Sequence, residues 1–553
     1  MKIKSQTIFL LLGGILALAA ALKLALSLAS AFPFNSDEAV VALMARHILA
    51  GERPVFFYGQ AYMGSLDAFL VAAGFLIFGQ QVWVIRLVQA LLYTGTIGTT
   101  FLLGRDLLGS AWVGLAAAGL MAIPTVNVTL YTTISLGGYG EALLLGNIIV
   151  LAGARMAGAW GFTGMGRRPD YSRPKDTFYS ALFGLAAGLG LWANGLTLVA
   201  VIPTGLFCLV YWIKNFRQRP LSHSLYNLGV VAAGFFLGSF PWWYDAWRRG
   251  FSSLIGELLG QAVAVESGPW ISQALTHGAN FLLLGIPVIM GMRPPWEVRW
   301  LVLPLLPFIL VFWGWIGYRV VKAIYRKSAL TPVYLLLLGI PATVLAGFIA
   351  TPFGIDPSGR YFLPFAVPLS LLAGEAIVSS WAFKRLIGAG LLAFILVYQL
   401  GGTVQCAITN PPGLTTQFDA TTIIDHRYDG ALIQFLISQG ETAGYASYWT
   451  AYPIDFLSAE KVTLVPALPY HLDFRYARRD DRYPPYDSRV DQSPKVVYIT
   501  ARFPALADRL RTAFKLHGIN WNEKAIGDYL VFYHLSRPIR PEALNLGWLT
   551  AAP

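Results

Sequence analysis

Apolar residues in this chain run in long blocks instead of alternating with polar ones. The blocks fall near residues 8–31, 66–79, 82–104, 107–124, 140–157, 177–193, 196–213, 225–243, 300–318, 331–350, 361–380 and 386–402. A helix needs about 20 apolar residues to cross a bilayer, and most blocks approach that length. Leu66–Gly79 is too short to span comfortably and is predicted as a juxtamembrane or re-entrant helix, which leaves eleven predicted spans. The first block follows Met1-Lys2-Ile3-Lys4 and begins like a signal peptide. It outruns the apolar core of a typical signal and lacks a small-x-small cleavage site, so it is read as a retained first helix.

The pattern changes after Leu400. Asp429–Ser438 and Phe503–His517 read as amphipathic helices. Thr442–Tyr448, Lys461–Val465, Lys495–Ile499 and Tyr529–Tyr533 are short and rich in Val, Ile, Thr and Tyr, as strands are. Their alternation predicts a small α/β domain. Tyr470–Ser493, dense in Arg, Asp, Tyr and Pro, reads as a solvated loop. The expected organisation is a polytopic α-helical membrane domain over 1–402 and a soluble α/β domain over 403–553.

Composition agrees with lipid as the main solvent. Only 13% of the residues are charged, against about 25% in soluble domains. The net charge of +12 invites a nucleic-acid reading, but its distribution excludes one. From Gly401 onward there are 15 basic and 15 acidic residues, so the tail is neutral and the surplus belongs to the membrane part. With eleven spans and the N-terminus inside, 17 of the 26 remaining basic residues fall on cytoplasmic pieces. That is the positive-inside distribution, and it places the C-terminal domain outside the cytoplasm. A spanning Leu66–Gly79 would move the basic loops Arg155–Lys175, Lys214–Arg219 and Arg319–Lys327 outside. Most acids of the membrane part, among them Asp37, Glu38, Asp67, Glu141 and Asp356, then lie on the outer side. The spans are nearly free of charge, which fits chemistry at the outer interface better than a transport path through the midplane.

Three motifs are candidates for that chemistry. Asn35-Ser36-Asp37-Glu38 follows the first span. Its acids suit a general base, or else Ser36 or Asp37 caps a helix over Glu38–Leu49. Gly137-Gly138-Tyr139-Gly140-Glu141 brings a carboxylate into an apolar helix. Its other reading is a helix-start acid after a flexible loop. Arg360-Tyr361 stands just before a late span, where Arg360 is either a phosphate ligand or a snorkelling interfacial residue. His47 lies on the helix after Asp37 and reads as structural more than catalytic. Trp242, Trp243 and Tyr244 fit an aromatic belt. Gly184, Gly188 and Gly190 fit close helix packing. The two cysteines, Cys208 and Cys406, fall in different environments and predict no disulfide. There is no His/Cys cluster, P-loop or dinucleotide fingerprint.

The order of these parts resembles bacterial membrane glycosyltransferases of the GT-C type. The similarity is to the protein-mannosyltransferase and aminoarabinose-transferase-like group that uses polyprenyl-phosphate sugars. It rests on Ser36-Asp37-Glu38, on Tyr58-Gly-Gln60-Ala-Tyr62-Met-Gly-Ser65, on Phe78-Gly-Gln-Gln-Val-Trp-Val-Ile-Arg86-Leu and on Arg360-Tyr361, and it covers most of residues 1–400. The resemblance implies that Asp37 is the first-loop catalytic carboxylate and Glu38 its neighbour. Glu141 corresponds by order to the second-loop acid. Arg360 and Tyr361 would hold the donor phosphate. His47, Tyr58, Gln60, Tyr62 and Arg86 would line the substrate site. After Tyr58 the Lys-Pro or Pro-Pro pair common in aminoarabinose transferases is replaced by Gln60-Ala61-Tyr62, which leaves the donor sugar open. No metal cofactor is implied, because such enzymes differ in their need for a divalent ion. The expected partners are a polyprenyl-phosphate sugar, a lipid, glycan or protein acceptor, and the bilayer of a bacterial plasma membrane. A flippase for lipid-linked sugars, without bond chemistry, is the alternative; a binding protein acting through its tail is a third.

Overall fold

The computed structural model describes residues 5–159, 173–215, 221–261, 263 and 268–547. Lys2, Lys4, Arg167, Arg168, Asp170, Arg217, Arg219 and Glu266, which enter the charge reading, lie outside the described residues. The chain packs as two compact units: Met1–Ser30, Gln60–Asp67 and Arg86–Ile408 form one, and Ala31–Gly59, Ala68–Ile85 and Thr409–Pro553 form the other.

The first unit is helical. Among the described residues, nine helices of the chain are long and apolar enough to cross a membrane, from Ser5–Leu28 to Arg385–Ala407. Leu66–Phe78 and Ala111–Ala122 are shorter apolar helices. Arg173–Ala193 is a helix of 21 residues that opens on polar side chains and is not among the nine. Lipid and apolar packing offer buried polar side chains no partners, and several in this unit find them on neighbouring helices. Lys23 lies buried in the first helix and donates to Thr132 O at 2.6 Å, Thr132 Oγ1 at 3.0 Å and Thr133 Oγ1 at 2.8 Å. Asn147 Nδ2 donates to Thr96 O, Thr99 Oγ1 and Thr100 Oγ1 on a neighbouring helix. Gly184 and Gly188 pack against Leu221–Gly238, where a Cβ would strike the carbonyl oxygens of Val231 and Phe235. Close helix approach is thus their role, as their spacing predicts.

The second unit carries a five-stranded sheet. Its strands are β1 Ala443–Ser447, β2 Thr463–Leu468, β3 Val497–Ala501, β4 Asn522–Ile526 and β5 Tyr529–Tyr533. Their order is β2-β1-β3-β5-β4. β1 runs parallel to β2 and β3, while β5 is antiparallel to β3 and β4. The parallel strands β1, β2 and β3 are buried along their whole length, as strands covered on both faces are. The edge strand β4 is exposed and carries Glu523 and Lys524, which blunt it against pairing with another chain. Helix Pro504–Leu516 buries Leu506, Ala507, Leu510, Ala513 and Phe514, a one-sided stripe of helical period. Each of the large side chains in it contributes about 1.5–3 kcal/mol.

The predicted strands and helices of the tail are present, with ends shifted by at most three residues. Two elements go beyond the expectation: β4, whose Asn-Glu-Lys start has little strand character, and the helix Tyr448–Leu457, whose aromatic sequence resembles a strand. The Tyr470–Ser493 segment corrects the reading of a solvated loop. It contains a 3-10 turn at Arg478–Asp480 and a helix at Pro485–Asp491, and it buries Asp480, Arg482 and Tyr486. Asp480 and Arg482 lie within electrostatic reach of one another there, so part of the segment's polarity is inside and does not report exposure.

Candidate active site

Helix Ser36–Leu49 belongs to the second unit and begins at the motif Asn35-Ser36-Asp37-Glu38. Asn35 is the cap: its Oδ1 accepts from the Glu38 amide at 3.1 Å, and its Nδ2 donates to Thr416 Oγ1 at 3.1 Å. This resolves the capping alternative, because neither Ser36 nor Asp37 is needed for that task. Ser36 Oγ donates to the carbonyl of Tyr448 at 2.5 Å. Glu38 is fully buried, whereas Asp37 is half-buried. Of the two acids, Asp37 is therefore the one open to a substrate.

Asp37 Oδ1 accepts a hydrogen bond from the Tyr448 hydroxyl at 2.7 Å. Its Oδ2 accepts none among the described residues. The Arg482 guanidinium sits 5.5 Å from the centre of the Tyr448 ring, within electrostatic reach of Asp37 and Asp480. Burial raises the Asp480 carboxyl to about 6; Arg482 opposes that rise and the charge of Asp37 adds to it. Burial, with Asp37 beside it, also pushes the Tyr448 phenol up, which keeps it a proton donor to the carboxylate. The result is a half-open carboxylate with one oxygen held and one free, backed by a buried cation and a second acid.

A second cluster in the same unit surrounds His47. Tyr58 donates to Glu52 Oε2 at 2.7 Å, and Tyr483 donates to Glu52 Oε1 at 2.5 Å. With its own O–H directed at Glu52, the Tyr58 oxygen is left to accept from His47 Nδ1 at 3.0 Å. His47 Nε2 faces Glu460 Oε1 at 3.2 Å. The imidazole stacks on Tyr483 with ring centres 4.5 Å apart. Burial works against the charge of Glu460, but contacts from His47, Tyr486 and Arg46 outweigh it and hold this carboxyl down at about 2. His47 and Tyr58 are thus fully engaged with protein groups, the arrangement of a structural network.

The first unit holds the other motifs. Asp67 is buried and accepts from Gln89 Nε2 at 2.8 Å and from Ser135 Oγ. Glu141, in the first turn of Tyr139–Ala159, is also buried and faces Asp67. Neither of its oxygens has a hydrogen-bond donor among the described residues. Arg360 Nη2 pairs with Asp356 Oδ2 at 2.7 Å, and its guanidinium lies 5.0 Å from the Tyr361 ring centre. Tyr139 and Tyr62 complete its surroundings. The hydroxyls of Tyr139 and Tyr361 and Nε of Arg360 are buried without a partner among the described residues, an unusual set of unused donors. The loop before Arg360 is fixed from behind. Arg293 donates to the carbonyl of Pro357 at 2.9 Å, and Asn127 Nδ2 donates to that of Gly359 at 3.2 Å. Gly359 has φ +110°, and a Cβ there would strike the Asn127 side chain, so the position requires glycine.

The residues singled out in the sequence therefore fall in both units. Asp37, Glu38, His47 and Tyr58 lie in the second unit; Gln60, Tyr62, Arg86, Glu141, Arg360 and Tyr361 lie in the first. Gln60 and Arg86 are half-buried, and Tyr62 packs edge-on against Phe353. Sequence reading missed Tyr448, Asp480 and Arg482 around Asp37, and Asp67 beside Glu141. Asp67 had one visible signal, a carboxylate opening an apolar helix. Tyr448 had none, being one of 26 tyrosines.

No family model matches the chain, and no curated protein matches it in sequence. Its structure is similar to that of ArnT from Cupriavidus metallidurans in the apo state. The TM-score is 0.57 at 15% identity, over 94% of this chain and 98% of that one. The same protein bound to undecaprenyl phosphate gives 0.56 at 16% identity, over 94% and 98%. The apo Archaeoglobus fulgidus oligosaccharyltransferase gives 0.51 at 12% identity, over 90% of this chain and 70% of that one. The chain has the GT-C fold, a mostly helical membrane protein with a C-terminal sheet region.

Proposed function

We propose that this GT-C-fold chain is a glycosyltransferase that moves a sugar from a polyprenyl-phosphate carrier to an acceptor hydroxyl at the outer face of a bacterial plasma membrane. The observation that carries the reading is Asp37, a half-open carboxylate directly after the first span, with Oδ1 held by Tyr448 and Oδ2 without a hydrogen bond among the described residues. In the proposed step Oδ2 takes the proton of the acceptor hydroxyl as its oxygen attacks the anomeric carbon. The bond from that carbon to the phosphate oxygen breaks, and polyprenyl phosphate leaves with the electron pair. A single displacement inverts the anomeric centre. Phosphate needs little acid assistance as a leaving group, so the two-carboxylate apparatus of glycoside hydrolysis is not required.

Arg360, with the unused hydroxyls of Tyr139 and Tyr361, is the proposed phosphate site. Its guanidinium fork matches phosphate oxygens, and Asp356 holds it in place. Glu38 and Glu141 are buried and take supporting roles in this scheme. The first-loop segment and the C-terminal α/β part then belong on the extracytoplasmic side, as the charge distribution predicts.

The test is transfer from a set of radiolabelled polyprenyl-phosphate sugars in native membranes, comparing wild type with Asp37→Asn. Product from wild type alone establishes the reaction and the base. Product from both proteins removes Asp37 from the chemistry. Carrier movement across vesicles without a new glycosidic bond replaces the reading with the flippase.

A further inference from the structure

We infer that Tyr448 is a positioning residue for the Asp37 carboxylate, so that the C-terminal segment supplies a working part of the first-loop site. The inference rests on the reading of Asp37 as the base and names what orients it.

Tyr448 is clamped to two consecutive residues of the first loop. Its carbonyl accepts from Ser36 Oγ at 2.5 Å and its hydroxyl donates to Asp37 Oδ1 at 2.7 Å. The ring itself cannot swing away. It is 3% exposed, packs edge-on against Trp449 and Tyr452, and lies under the Arg482 guanidinium. Tyr448 also opens the helix Tyr448–Leu457, whose buried face fixes its backbone. An Asp side chain has two soft torsions, and a free carboxylate spreads over several orientations. The phenol removes that freedom by committing Oδ1. Oδ2 alone is left to receive a proton, in one direction. The Tyr448 proton is not transferred in this scheme; it remains on the phenol throughout.

Two consequences distinguish positioning from packing. Loss of the phenol hydroxyl removes the donor to Oδ1, which changes the stretching bands of the Asp37 carboxylate. It also releases the carboxylate from its orientation, which lowers kcat while leaving substrate binding intact.

The experiment uses the full chain in detergent, comparing wild type, Tyr448→Phe and Ser36→Ala. Infrared difference spectra of carbon-13-aspartate-labelled protein, referenced to Asp37→Asn, read the stretching bands of the Asp37 carboxylate. Tyr448→Phe is expected to move those bands, because one carboxylate oxygen loses its donor. Ser36→Ala removes only the backbone tether and is expected to leave them in place. With an active donor, Tyr448→Phe is expected to lower kcat by about 10- to 100-fold at nearly constant KM. Unmoved bands in Tyr448→Phe overturn the inference, as does an equal shift in Ser36→Ala, which would mark loosened packing. Moved bands in a protein that transfers no sugar leave the pairing standing and refute the glycosyltransferase reading instead.

Discussion

The Tyr448 hydroxyl donates to Asp37 Oδ1 at 2.7 Å across 411 residues of sequence. This contact joins the acid of the first loop to the first turn of a helix in the C-terminal α/β part, within one compact unit. The tail is thereby part of the Asp37 environment, and its ionisable groups influence it.

Asp480 is the first of these. Burial leads the causes that hold it at about 6, above the usual range near 3.8. A raised carboxyl keeps its proton in the folded state to higher pH than in the unfolded chain. Its contribution to stability therefore declines as pH rises from about 4 through about 6. Ionisation of Asp480 places a second negative charge beside Asp37, so kcat/KM is expected to show an inflection near pH 6. Asp480→Asn should erase that inflection; if it persists, another group is responsible.

Glu460 titrates in the opposite sense. Its carboxyl is held at about 2, below the usual 4.5, despite its burial, by His47, Tyr486 and Arg46. A depressed carboxyl contributes stability that is present above about 4.5 and lost as pH falls toward 2. Thermal unfolding between pH 7 and 3 should show this loss in wild type. Glu460→Gln should be less stable at pH 7, by about 2 kcal/mol for a charged hydrogen-bond acceptor, with a flatter pH dependence. An unchanged profile would exclude Glu460 as the group.

Lys23 offers a test of asymmetry in the membrane unit. Its ammonium is buried, with three hydrogen bonds to Thr132 and Thr133. Removing the charge with Lys23→Met replaces a satisfied group by an apolar one of similar shape. Thr132→Val with Thr133→Val instead keeps the buried charge and leaves it the Thr132 carbonyl as its remaining acceptor of the three. The double threonine variant is expected to lose more stability in detergent than Lys23→Met, by about 1–3 kcal/mol. The reverse order would mean that the ammonium finds other acceptors.

Arg360 and Asp356 separate phosphate binding from local structure. Arg360→Gln should raise the donor KM by about 10- to 100-fold with a smaller effect on kcat, the signature of lost ground-state binding. Arg360→Lys should recover only part of the loss, because an ammonium lacks the planar fork. A donor KM unaltered in both variants would return Arg360 to the role of an interfacial residue paired with Asp356.

Much of the architecture was legible because it is written in local patterns. Each of the twelve apolar blocks is a helix, and Leu66–Phe78 has the short length expected of it. Strands such as Tyr529–Tyr533 follow from their own side chains. β4 was not legible because its Asn-Glu-Lys start is chosen by its partner strand and by exposure at the sheet edge. Helix Tyr448–Leu457 was hidden by aromatic residues whose strand character is overridden by burial on every side. Tyr470–Ser493 looked solvated because composition counts charges without showing that Asp480 and Arg482 answer one another inside.

The sequence by itself determined that this chain is largely built of helices apolar enough for lipid, and that Asp37 follows the first of them. Those properties follow from the length and period of apolar runs and from the cost of charge in hydrocarbon, which act over a few turns of chain. Only the tertiary structure decided that Asn35 is the cap, that Glu38 is buried while Asp37 is half-open, and that Tyr448 holds one of its oxygens. A hydrogen bond has a range of about 3 Å, and which groups come within it across 411 residues is settled by packing, not by spacing along the chain.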